Sequence, residues 1–294
     1  MVVTLAEQSR LTPAPAGDVR PGVHRATAGS AGTGRPTAPG PRPGELATAL
    51  RDGRLLVAQQ PVVALGDGAV CGSEALVRWQ HPRLGLLLPG RFLPLVGGAV
   101  SAAALDLHVL TAVCRDLADD PGALSVSVNV SRAALLSPGF ARAVLRVLRE
   151  HEVAGERVML ELSEQLTLDD LDAVGDELRL LRRHDVRLVL DDLGAGATTL
   201  QHVRRLRPAW VKVDRRLVTR VDEDARRLAV VRRAVDLAAA VGAGVTAEGV
   251  ERPEEARALL AAGCRRGQGW LFGRPLLRRA PGAATADGDA AAAG

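Results

Sequence analysis

Between residues 69 and 272, strand-like apolar runs alternate with helical segments, and that alternation constrains the fold more than any other feature of the chain. The runs are Ala69–Trp79, Ser125–Val130, Val158–Leu162, Arg187–Leu190, Trp210–Val213, Gly244–Ala247 and Gln268–Phe272. Helical segments near 102–118, 138–151, 169–184, 197–206, 222–242 and 253–262 fill the intervals. Strands joined by helices run parallel, and strands buried on both faces read as near-continuous apolar runs. One further run, Leu55–Val63, precedes them across the turn Gly66-Asp67-Gly68. A connection that short makes an antiparallel hairpin. The expected fold class is therefore α/β: a (β/α)8 TIM-like barrel with an antiparallel first strand. The alternative, an open doubly wound sheet, would carry a glycine-rich phosphate loop after its first strand, and the sequence has none.

The 294 residues suit one such barrel with short extensions. Residues 1–43 are rich in Pro, Gly, Ala and Thr without apolar periodicity and read as a disordered leader. The barrel is expected over 44–280, and 281–294 reads as a disordered tail. With three Phe, three Trp and no Tyr, the core must be built from Leu, Val and Ala. A net charge of +4 without a basic stripe argues against a nucleic-acid duplex as partner; pairs such as Arg226–Arg227 and Arg232–Arg233 read as solvated helix faces. Cys71, Cys114 and Cys264 form neither a zinc pattern nor a disulfide framework, which suits a reducing cytosol. The N-terminus has no apolar signal region, and the most apolar stretch, Leu84–Leu105, is broken by Pro89, Arg91 and Pro94. The expectation is a cytoplasmic protein without a membrane span.

Polar residues fall where each run ends. The second strand carries Glu74 and Arg78, the third ends in Asn129, and the fourth gives Glu161 and Glu164. The fifth gives Asp191 and Asp192, the sixth Lys212 and Asp214, and the seventh Glu248 and Glu251; the eighth opens with Gln268. Active sites of this fold sit at the C-terminal face of the strands. So many carboxylates at one mouth, with one lysine, would repel one another without a cation. Carboxylate and amide oxygens favour Mg²⁺, Mn²⁺ or Ca²⁺ over zinc. The six histidines read as surface, helix or leader residues. A carboxylate-held pair of Mg²⁺ or Mn²⁺ ions suggests phosphate-ester chemistry, with Arg78 placed to hold a phosphate by bidentate bonds.

The segment Gly72-Ser73-Glu74-Ala75-Leu76-Val77-Arg78-Trp79 resembles the signature of the EAL domain, the bacterial cyclic-di-GMP phosphodiesterase module. The likeness runs from about Glu45 to Leu277. It includes Gln60-Pro61-Val62, His81-Pro82, Gly85-Leu86, Pro89 with Phe92-Leu93-Pro94-Leu95, and Asn129-Val130-Ser131. It continues through Glu161-Leu162-Ser163-Glu164, Asp191-Asp192-Leu193-Gly194, Lys212-Val213-Asp214 and Ala247-Glu248-Gly249-Val250-Glu251. It closes with Gly263-Cys264, Gln268-Gly269-Trp270-Leu271-Phe272 and Arg274-Pro275-Leu276.

The resemblance implies hydrolysis of one phosphodiester of cyclic-di-GMP to linear pGpG with Mg²⁺ or Mn²⁺. It implies Glu74, Asn129, Glu161 and Asp191 as ligands of one ion, with Asp191 bridging to a second held by Asp192 and Glu248. Lys212 would orient the attacking water, and the general base is left open between Glu248 and a metal-activated water. Glu164 would anchor the loop after the fifth strand, and Glu251 would support the site. Gln60, Leu76, Arg78, Asp214, Gln268 and Pro275 would contact substrate. The resemblance also implies a homodimer and leaves room for an unidentified signalling partner.

Three places depart from the family pattern. The loop usually written DDFGTGYSSL is here Asp191-Asp192-Leu193-Gly194-Ala195-Gly196-Ala197-Thr198-Thr199-Leu200. Val96-Gly97-Gly98 stands in place of an acidic pair, and Gln165 in place of a serine. These departures motivate an alternative from a different class: a catalytically inactive EAL domain acting as a cyclic-di-GMP receptor or protein-interaction module. An unrelated metal-dependent barrel enzyme is the remaining reading.

Overall fold

The computed structural model describes residues 40–42, 44–193 and 199–277. The leader through Pro39, the tail from residue 278 and most of the loop after Leu193 therefore lie outside the described residues. Ten strands form one sheet among the described residues. They are β1 (Leu55–Ala64), β2 (Val70–His81), β3 (Gly85–Leu87), β4 (Val126–Val130), β5 (Val158–Ser163), β6 (Arg187–Leu193), β7 (Trp210–Val213), β8 (Gly244–Ala247), β9 (Arg266–Gln268) and β10 (Leu276–Leu277). Eight of them close into a barrel in the order β1-β2-β4-β5-β6-β7-β8-β9, with β9 returning to β1. β3 and β10 extend β2 and β1 outside the ring.

β1 is antiparallel to both of its barrel neighbours, and every other barrel pairing is parallel. The hairpin turn enforces this. Asp67 Oδ1 accepts from Ala69 N at 3.0 Å, and Gly68 takes φ 75°, a region open to glycine at little cost.

Helices cross between the parallel strands. α1 (Glu45–Arg51) precedes the barrel, and α2 (Gly98–Asp119) joins β2 to β4. α3 (Arg132–Leu135) and α4 (Phe140–Glu150) lead to β5; α5 (Leu168–Ala173) and α6 (Gly175–Arg183) lead to β6; α7 (Leu200–Leu206) leads to β7. α8 (Arg215–Val218) and α9 (Ala225–Ala239) lead to β8, and α10 (Pro253–Ala261) leads to β9. On the strands, Val126, Val128, Leu160, Leu162, Leu188, Leu190, Val211, Val213 and Val245 belong to one continuous core with Leu110, Val113, Val144, Leu178 and Leu181 of the helices. The alternate residues, Ser127, Met159, Glu161, Val189, Lys212, Thr246 and Gln268, line the narrow barrel interior. Period-two alternation thus gives each strand an apolar outer face and a mixed inner face.

Three local expectations change. The last barrel strand ends at Gln268 instead of opening there: Val250 N donates to Gln268 O at 3.0 Å, Leu271 N donates to Val250 O at 3.1 Å, and the Val250 backbone approaches Gly269 too closely for a Cβ. The 169–184 helix is two helices that meet at Val174. His81 is buried beside a satellite core, its ring tilted against Trp79, instead of lying at the surface. Its Nδ1 accepts from Arg83 N at 3.1 Å and Leu84 N at 3.2 Å, so Nε2 carries the proton and donates to Glu45 Oε2 at 3.2 Å.

Candidate functional site

Strand register brings the polar residues together at the C-terminal mouth. Gln60 pairs across from Glu74, Asn129 from Glu161, and Ser163 from Asp191. Glu248 follows β8 directly, its N–H donating to Val213 O at 3.1 Å. Lys212 lies at the centre, buried, with Nζ 2.6 Å from Glu248 Oε1 and 2.7 Å from Glu161 Oε2. Glu74 Oε2 is 3.2 Å and Asp191 Oδ1 3.5 Å from the same nitrogen. Glu74 also accepts from Asn129 Nδ2 at 2.8 Å and Gln268 Nε2 at 2.7 Å. Gln268 Nε2 reaches Gln60 Oε1 at 3.1 Å, and Gln60 Nε2 donates to Gly273 O at 3.0 Å.

Two adjacent aspartates could not both face one mouth from a regular strand, since neighbours point to opposite faces. The β6–β7 register shifts between Leu190 and Leu193, and Asp192 takes φ 59°. Left-handed backbone is tolerated by Asp better than by most side chains, and a bulge re-aims what it carries. Asp191, Asp192 and Glu248 consequently offer carboxylate oxygens within 4.8 Å of one another.

The charges at this mouth do not balance. Burial raises Glu161 well above the ordinary carboxylate range, and the charge of Glu74 adds to the rise, against the pull of Lys212. Burial lifts Glu248 to about 7; the Lys212 ammonium opposes this, while Asp191 and Glu74 add to it. Burial, Asp191 and Asp214 lift Asp192 to about 6. Glu74 goes the other way: burial pushes it up, but Lys212 and the bonds from Gln268 and Asn129 outweigh it and hold it low. Burial alone would lower Lys212, yet Glu161, Glu74, Glu248 and Asp191 raise it well above its ordinary value, so it stays an ammonium. Carboxyls that must hold protons to coexist are those a divalent cation would relieve. The donors are all oxygens, and Asp191 Oδ1 is buried without a hydrogen-bond partner among the described residues. The residues fit a hard divalent ion.

Other expected site residues lie around this cluster. Asp214 caps α8 through Arg216 N at 2.7 Å and shares a hydrogen bond with Asp192. Arg78 is buried on β2, its Nη1 donating to Val77 O at 2.9 Å. Leu76 lines a cavity of about 510 Å³ beside Glu74 and Asn129, with Pro89, Leu93 and Val96. Glu164 follows the end of β5, near enough for its charge to act on Arg216. Pro275 is half-buried just before β10. Glu251 does not join the Lys212 network: its carboxylate pairs with Arg215, while its N–H donates to Glu255 Oε2 at 2.9 Å.

Two residues at this mouth received no role from the sequence. Trp270 is 51% exposed, with the guanidinium of Arg274 4.1 Å and that of Arg215 5.6 Å from its ring centroid. One of three tryptophans in a chain without tyrosine, placed directly after Gln268-Gly269, is the signal that could have drawn attention to it. Asp106 Oδ2 accepts from both Ser131 N and Ser131 Oγ at 2.8 Å, pinning the turn that follows Asn129.

The profile of the EAL domain matches residues 44–275. The cyclic di-GMP phosphodiesterase NbdA of Pseudomonas aeruginosa is 36% identical over 236 residues, 79% of this chain and 30% of that protein. An uncharacterized protein of Mycobacterium tuberculosis H37Rv is 36% identical over 238 residues, 78% of this chain and 77% of its own. Among solved structures, the PaMucR phosphodiesterase in complex with c-di-GMP superposes with a TM-score of 0.74 at 32% identity, covering 79% of this chain and 96% of that one. The manganese/c-di-GMP complex of Klebsiella pneumoniae BlrP1 gives a TM-score of 0.66 at 26% identity, over 76% of this chain and 56% of that one.

Proposed function

The chain belongs to the EAL domain family, and on that premise we propose that it hydrolyses cyclic-di-GMP to linear pGpG with Mg²⁺ or Mn²⁺. One water is consumed and one P–O ester bond breaks. The observation that carries this reading is the convergence of Glu74, Asn129, Glu161, Asp191, Asp192 and Glu248 around Lys212, with more carboxyl groups than one ammonium can neutralise. Glu74, Asn129, Glu161 and Asp191 would hold one ion, and Asp191, Asp192 and Glu248 would hold a second. When bound, the ions acidify water and offset the charge that develops on the phosphate.

The chain's own residues do the rest. Lys212, fixed as an ammonium, balances charge and orients the water. Gln60 and Gln268 hold Glu74 in place through their shared hydrogen bonds. Arg78 and Asp214 contact the nucleotide, part of which enters the cavity lined by Leu76 and Val96. Glu164 and Pro275 position the neighbouring loops, and Glu251 acts through its pairing with Arg215. A cytoplasmic homodimer belongs to the same reading; no helix among the described residues is long and apolar enough to cross a membrane.

The test is incubation of the purified chain with cyclic-di-GMP and Mg²⁺ or Mn²⁺, with chromatographic identification of the product. pGpG is expected with wild type and none with Glu74→Ala. A second reading, a receptor that binds without turnover, draws on the apolar wall that Leu76, Leu93 and Val96 give the cavity beside Glu74. Saturable nucleotide binding with no product in either metal would favour it.

A further inference from the structure

The opposite, N-terminal mouth of the barrel carries the reverse charge. A broad concavity of about 790 Å³ opens there, lined by Arg157, Arg182, Arg187, Arg207 and Arg266. Four of these sit at N-terminal strand edges: Arg157 before β5, Arg187 opening β6, Arg207 three residues before β7 and Arg266 opening β9. Arg182 comes from the last turn of α6.

The ordinary reading of this face is stability, and Arg157 follows it fully. Arg157 braces backbone, donating to the carbonyls of Leu117, Asp120 and Ala123 at 3.0, 2.8 and 3.1 Å. Arg182 and Arg187 each brace backbone at one nitrogen, Arg182 Nη2 donating to Leu206 O at 2.7 Å and Arg187 Nη2 to Glu156 O, which leaves the rest of each guanidinium without an acceptor of opposite charge. None of the five is ion-paired with a carboxylate among the described residues, although Arg132, Arg205, Arg215, Arg216, Arg220 and Arg252 all are. The acids lining the concavity, Glu156 and Asp185, are exposed and neither is paired with these arginines.

Arg182 Nε and Arg187 Nε are buried without an acceptor among the described residues, a condition unfavourable to folding where nothing compensates it. Arg266 stacks on Trp210, 3.5 Å from the ring centroid, which fixes its guanidinium in place. Arg207 holds φ 43°, a strained setting for a long side chain, directly before Pro208.

We propose that this concavity is a second ligand site, for a small anion carrying two or more phosphate groups. Guanidinium forks match phosphate oxygens in pairs, and a multiply charged anion would neutralise guanidinium groups that have no carboxylate partner among the described residues. Burial, then Arg207 and Arg179, lower the affinity of Arg182 for its proton. Burial lowers Arg266 too, and Arg187 adds to it. The organic part of such a ligand would meet Leu124 and Pro208 at the rim. The proposal does not depend on the reaction at the acidic mouth.

Calorimetric titration of the full-length chain in EDTA, with inorganic tripolyphosphate and separately with a nucleoside triphosphate, tests it. One saturable site is expected, weakened at least about tenfold by Arg207→Glu, which changes an exposed residue, and by Arg187→Gln. Glu74→Gln at the other mouth should leave binding unchanged. Equal affinity for the two probes means that phosphate alone is read; tighter nucleotide binding adds contacts at Leu124 and Pro208. No saturable binding below about 1 mM by wild type would overturn the proposal. So would unchanged binding in both arginine variants once circular dichroism shows them folded, or loss of binding in Glu74→Gln.

Discussion

Lys212 Nζ lies 2.6 Å from Glu248 Oε1, the shortest of its four carboxylate contacts. The lysine is therefore the only cation among the described residues within ion-pairing reach of Glu74, Glu161, Asp191 or Glu248. Lys212→Met keeps the length of the stem and removes the charge. Breaking a buried ion pair at one partner costs about 3–5 kcal/mol, on the order of a 10 °C loss in a chain of this size. Differential scanning fluorimetry at pH 8 in EDTA should show that loss, and Mn²⁺ should restore part of it, since a divalent ion can take over the neutralising role. A variant as stable as wild type in EDTA would mean that the carboxylates do not rely on Lys212.

Asp192 combines a left-handed backbone with a carboxyl held up to about 6 by burial and by Asp191 and Asp214. Asp192→Asn keeps a side chain that tolerates this backbone and can still donate to Asp214. It removes one mutually repelling carboxyl. The metal-free variant should gain on the order of 1 kcal/mol, while its Mn²⁺ affinity falls at least about tenfold. Thermal unfolding in EDTA and Mn²⁺ titration measure the two effects. Loss of both together would instead point to a broken bulge.

The hairpin, the alternation and the strand-end carboxylates were all legible in the sequence because each rests on local chemistry: Gly66-Asp67-Gly68 permits one short turn, and Glu161 or Lys212 interrupts a run that is otherwise apolar. The Asp192 bulge was not legible, because nothing in Asp191-Asp192-Leu193 marks which residue turns left-handed. His81 read as a surface residue because its burial depends on α1, whose Glu45 takes up Nε2, while only the bonds from Arg83 N and Leu84 N are local. The basic mouth was hidden for a similar reason. Arg157, Arg182, Arg187, Arg207 and Arg266 are scattered along the chain, each reads alone as a solvated side chain, and only barrel closure gathers them.

Asp106 supplies a pH dependence outside the acidic cluster. Burial raises its carboxyl to about 6, against the bonds from Ser131 N and Oγ, from an ordinary value of 3.8. The folded state thus holds this proton more tightly than the unfolded chain does. Its favourable contribution is complete below about 3.8, declines as pH rises and is lost above about 6, weighing roughly 2–3 kcal/mol against folding there. Asp106→Asn retains an oxygen acceptor for Ser131 without a charge. Urea unfolding at pH 4 and pH 7 should show the variant gaining on wild type by about that amount between the two values. A constant difference across the range would rule out titration of Asp106 as its source.

Leu76 bears on binding more than on chemistry. It lines the cavity beside Glu74 but makes no hydrogen bond to the acidic cluster, and Pro89, Leu93 and Val96 complete the apolar wall. Truncation to alanine removes roughly 40–60 Å² of apolar surface from a bound nucleotide, worth about 1–1.5 kcal/mol. If part of the nucleotide sits there, Leu76→Ala should raise KM about tenfold and change kcat by less than about threefold, the pattern of a contact made equally in ground and transition states. A fall in kcat at unchanged KM would place Leu76 as a support for the Glu74 strand instead, because an interaction felt only in the transition state must act through the reacting groups.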